Sequence, residues 1–147
     1  MLGVNILRGL VLVLFCLGTV GCHSMMHPRA DEFYQQAKGA NAVETGLNLS
    51  KTMDATIQQL VNSPEKTELL DELHDQFHAL HGVFCEMSEE QSKTIAYIHS
   101  KTLIKELKTV FHRLWKYRED ERIRALHLGL FRARLVEFRL ALEAIPT

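Results

Sequence analysis

From Asp31 onward apolar residues recur at intervals of three and four, and no run of alternating polarity persists, so the pattern predicts helices and no sheet. A first stripe from Phe33 through Val43, Met53 and Ile57 to Leu60 marks a helix over about 31–62, thin in its middle and weakened at Gly39 and Gly46. Ser63-Pro64 stops it, because proline lacks the amide a continuing helix needs but suits the first position of a new one. A second helix over about 64–86 carries Leu70, Leu73, Phe77 and Leu80, with Gly82 as an alternative left-handed end. Ser88-Glu89-Glu90-Gln91 fits a capping box and opens a third helix over about 89–117, lined by Ile95, Ile98, Leu103, Leu107, Val110 and Leu114. A last stripe, Leu128, Phe131, Leu135, Phe138, Leu142 and Ile145, gives a helix over about 120–144.

The segment between the last two stripes, Lys116 to Arg122, holds no glycine or proline, so one continuous rod and a hairpin both fit it. A break near Arg118 to Arg122 is the better expectation, because a hairpin buries both stripes against each other. The fold expected is all-α: a small helical bundle of three to four helices. With 147 residues, 46% apolar content and a net charge of -1, the chain can build one modest core and one domain.

Before Asp31 the chain changes character. Arg8 precedes GLVLVLFCLGTVG, an apolar run of about a dozen residues, whereas a helix spanning the hydrocarbon core of a bilayer takes roughly 20. A positive start, a short apolar run and small residues before a break are the marks of an export signal. The segment Thr19-Val20-Gly21-Cys22 resembles the lipobox of bacterial lipoprotein precursors. That resemblance implies diacylglycerol on the Cys22 thiol, removal of residues 1–21, a short tether over 22–30 and a helical domain over 31–147. It also implies a lipid-anchored protein of the cell envelope that faces the periplasm or the exterior. Because Asp does not follow Cys22, it implies the outer membrane in a Gram-negative cell. Two plainer readings compete: an ordinary cleaved signal with Cys22 as a free thiol, and an uncleaved signal anchor. Two or three acyl chains hold a protein on a membrane nearly irreversibly, where one chain binds marginally. Once Cys16 leaves with the signal and Cys22 takes lipid, Cys85 stands alone and no internal disulfide is possible.

Charge is unevenly shared. Residues 23–100 hold 5 basic and 12 acidic side chains, and residues 101–147 hold 11 and 6. The acidic second helix and the basic third should therefore attract, each exposed pair contributing less than about 1 kcal/mol. An alternative role for the basic half is a contact surface of Arg118, Arg122, Arg124, Arg132, Arg134 and Arg139 for anionic lipid or an acidic polymer. Trp115 and Tyr117 stand beside it. Nucleic acid is not an expected partner, since the chain lacks the uniform basic footprint such binding needs.

One stretch carries candidate chemistry. In HDQFHALHGVFC, His74, His78 and His81 share a helix face within about 60°, and Cys85 joins them if the helix passes Gly82. Histidines one turn apart can clamp one zinc or other divalent transition metal, with Cys85, an aspartate, His99 or His112 completing the set. The competing account is structural: the histidines sit about 100° from the core stripe, on a shoulder where half-buried polar rings belong. Enzymatic motifs are lacking: HExxH, GxSxG and phosphate-binding glycine loops are absent, and Ser63-Pro64-Glu65-Lys66 matches SxxK without its companions. The expected function is thus non-catalytic and without a cofactor: an accessory, scaffold or interaction domain with a protein partner in the envelope. The alternative is a periplasmic metal-binding or metal-sensing protein.

Overall fold

The structure, a computed structural model, describes residues 28–147. The expected leader and lipobox, Cys22 and the first part of the expected tether lie outside the described residues. Among the described residues six α-helices follow in order: α1 (Pro28–Ala37), α2 (Ala42–Asn62), α3 (Glu68–Val83), α4 (Glu89–Ser92), α5 (Ile95–Lys116) and α6 (Glu121–Glu143). The class is all-α, and no strand occurs among the described residues.

Six helices replace the three or four expected, and each extra break has a local cause. The expected 31–62 helix is two. The chain leaves helical form between Lys38 and Asn41, where the Asn41 side chain accepts the Glu44 amide and Glu44 Oε2 accepts the Ala40 amide at 2.7 Å. A side chain at Gly39 would strike Glu44 at 2.6 Å, so the turn closes only over glycine. Gly46, the other weak point, stays helical. Likewise the capping box at Ser88 forms, with both reciprocal bonds to Gln91, but α4 lasts four residues. Thr94 then turns extended and caps α5 by accepting from the Tyr97 amide. The second helix starts at Glu68 rather than 64, because a turn closed from the Lys66 amide to the Ser63 carbonyl comes first. Helix α1 begins at Pro28, inside the stretch 22–30 expected to be a tether, where the expected helix began at 31.

The four long helices form an antiparallel ring that is thin at one edge. Thr56 of α2 meets Glu72 of α3, Asp54 of α2 meets Arg132 of α6, and Glu106 of α5 meets Arg134 of α6. The break between α5 and α6 falls at Tyr117–Asp120, where Asp120 accepts the Ile123 amide. Helix α1 lies on the outside of α2 and α3, its Arg29 3.9 Å from Glu72. Within the ring the closer seams are α5–α6, α2–α3 and α2–α6, and α3 and α5 meet along a thinner edge; α1 packs closely on α3. The last apolar stripe is buried along its whole length, from Leu128 to Ile145. The α5 stripe is shifted: its buried face runs Ser100, Leu103, Ile104, Leu107, Phe111 and Leu114, while Ile95 and Ile98 are 86% and 58% exposed.

Two features of the ring bear on function. Helix α6 is apolar on both faces: Leu126, Leu130 and Leu140 point outward, opposite the buried stripe. The start of α1, the α2–α3 loop and the α5–α6 turn also lie at one end of the bundle, as the antiparallel order requires.

Candidate functional site: a histidine cleft at the open seam

The α3–α5 edge holds a cleft of about 200 Å³ walled by Phe77 and Phe111 and lined by His74, His78 and His81 from α3 and His112 from α5. Helical spacing puts the first three on one side; the antiparallel ring brings the fourth across from them. His74 is the most constrained. Its ring stacks on Phe111 at 5.3 Å with 5° between planes, and lies 6.2 Å from Trp115. His78 meets it edge-on at 4.6 Å, and the two Nε2 atoms are 3.1 Å apart, a distance at which one ring nitrogen can donate to the other. His74 and His78 are half-buried, and His81 and His112 are exposed. Lys108 stands at the rim.

Cys85 is not part of this group. Helix α3 ends at Val83 and Phe84 caps it with ordinary right-handed backbone, so Cys85 sits in the following turn, exposed and outside the cleft lining. Gly82 is inside the helix and has no positive φ, so it does not supply the left-handed end considered for it. Among the described residues, no group of three or more His, Cys, Asp or Glu side chains is already arranged around a common point. What the arrangement offers chemically is two converged imidazole nitrogens, aromatic walls and two further imidazoles within the same cleft.

The six arginines do not share a face. Arg132 donates to Asp54 and Gln58 across the α2–α6 seam, and Arg134 bonds Glu106 and Glu137 on the opposite flank of α6. Arg118 and Arg124 serve the turn between α5 and α6. Arg118 Nη1 donates to the Trp115 carbonyl at 3.1 Å, beside the backbone amides already there, and Arg124 Nη1 donates to the Arg118 carbonyl at 2.6 Å, so both arginines bond carbonyls where the helix ends. Arg122 is exposed beside Glu119, Asp120 and Glu121, and Arg139 is half-buried. Arg118 also covers the Trp115 ring at 5.2 Å. Periodicity gave no means of finding Phe111 as the stacking partner that fixes His74, since the contact joins residues 37 apart. Cys22 lies outside the described residues.

Set against protein-family models, curated proteins and solved structures, the chain finds no match in any of the three.

Proposed function

We propose that this is a lipid-anchored cell-envelope protein whose bundle works by contact, as a non-catalytic accessory or scaffold domain. The anchor is read from the leader that ends at Cys22. The contact role is carried by one observation: α6 keeps Leu126, Leu130 and Leu140 on its outer face, 61%, 43% and 62% exposed, although the same helix already fills the core from its inner face. Charged residues on a helix back are the ordinary arrangement; a leucine stripe there suits a protein neighbour.

The topology fits a tether. Chain from Cys22 to Pro28 reaches at most about 20 Å, so an acylated Cys22 would hold the start of α1 near the lipid. That end also presents Trp115 and Tyr117, residues suited to a membrane–water interface. The outer face of α6 would then rise from the membrane, open to a neighbour beside it. Photo-crosslinkers at positions 130 and 140, against one at exposed Lys51 on α2, test the contact role in the native envelope. One neighbour captured from α6 positions, and lost in Leu126→Glu, is expected; equal labelling from Lys51, or none from α6, contradicts the role.

A further inference from the structure

We infer that His74 and His78 of α3, completed by His112 of α5, form a site for a divalent first-row transition metal that binds imidazole, such as zinc, nickel or copper, and that the ion clasps the α3–α5 seam. The site does not depend on the lipid anchor and is built only from described residues.

The distance between the two ring nitrogens is the first argument. Two nitrogens on one ion at about 2.1 Å stand about 3.0 Å apart at a right angle and about 3.4 Å apart at the tetrahedral angle. The observed separation of 3.1 Å falls between these values, so the two nitrogens already stand at the spacing that one shared ion requires, and turning the rings is enough to aim both at it. Neutral imidazoles can keep their single proton on Nδ1, leaving both Nε2 lone pairs for the metal. Preorganisation is the second argument. The Phe111 stack holds the His74 ring, so little rotamer freedom remains to be lost on binding.

The third argument concerns the remaining ligand and the place. His112 follows Phe111 directly and lines the same cleft from the opposite helix. Because it is exposed, it can turn toward the pair without disturbing the core, and water fills the other positions. The cleft has room for several waters, each of which occupies roughly 30 Å³ in the liquid. The Lys108 ammonium opposes a cation, but its exposed side chain can swing into solvent. The seam itself is the thinnest in the ring, so a bond across it tightens the one place where packing is least.

Trp115 is the single tryptophan and its ring centroid is 6.2 Å from that of His74, which makes it a reporter. Copper or nickel chloride is titrated into full-length protein in detergent micelles, made without a histidine tag, while Trp115 fluorescence and thermal unfolding are followed. Saturable quenching at one ion per chain and a melting temperature that rises with metal are expected. His78→Ala should weaken binding at least about tenfold, the least that loss of a mere supporting group costs a metal site. His112→Ala should weaken it too and clearly reduce the rise in melting temperature at a given metal concentration, while His99→Ala should match the parent. Circular dichroism confirms folding, and His78→Gln replaces His78→Ala if the latter unfolds. No saturable quenching, or equal binding by the parent and the His78 variant, overturns the site; an unchanged melting shift in His112→Ala overturns the clasp.

Discussion

Phe131 has no solvent exposure and meets Phe111 of α5 edge-on in the core of the ring. Phe131→Ala should cost about 3–5 kcal/mol, the range for removing a buried aromatic ring. A domain of this size is stable by only about 5–15 kcal/mol, so the urea midpoint should fall steeply, and a near-parental midpoint would contradict the core described. Glycines give a finer test. A methyl group at Gly129 meets nothing within 4 Å, so Gly129→Ala should gain up to about 1 kcal/mol from helix propensity. At Gly46 the same methyl lies 2.9 Å from a methyl of fully buried Leu142, so that gain should shrink or reverse. Burial, and after it the neighbouring Glu86 carboxylate, raises the Tyr34 hydroxyl above the usual phenol range. The folded protein therefore holds that proton more tightly than the unfolded chain, whose tyrosine ionises near pH 10, and stability should fall as pH rises from about 10 upward. Tyr34→Phe should remove that part of the alkaline decline in a pH series of urea midpoints. At this scale the sequence pattern revealed the core of α6 but misassigned Ile95 and Ile98, because spacing of three or four fits several faces and only the neighbouring helix chooses one.

Helix ends were legible where one side chain carries the signal. Ser63-Pro64 stopped α2 and Ser88 and Gln91 formed their box, whereas the break at Tyr117–Asp120, expected near Arg118 to Arg122, followed from burying two stripes against each other and not from any single residue. Breaks that depend on several groups were not: Gly39 ends a helix only because Asn41, Glu44 and Thr45 supply the bonds of the turn, whereas Gly46 has the α6 leucine packed against it. Asn41→Ala should therefore cost about 1 kcal/mol, the usual worth of an N-cap, in chemical denaturation. Arg124→Ala should speed hydrogen exchange of the amides that close the α5–α6 turn, at Tyr117, Arg118 and Asp120, and leave α2 unchanged. Unchanged exchange at those amides would mean that the arginine does not hold the hairpin.

At the scale of the whole molecule, periodicity placed three histidines together but could not show that His112 faces them or that Cys85 turns away. Both depend on the direction of the chain after α3. The same ring order puts the start of α1 at the same end of the bundle as Trp115, so the proposed anchor has a structural consequence. In vesicles, lipids brominated near the headgroup should quench Trp115 strongly and those brominated deep in the chains weakly. Protein that stays on vesicles without such quenching is anchored but turned the other way. The most direct test is the mass of the mature N-terminus isolated from the envelope. A chain that begins at Cys22 and carries diacylglycerol on its sulfur is the predicted result; one that retains Met1, or begins at or near an unmodified Cys22, contradicts the account.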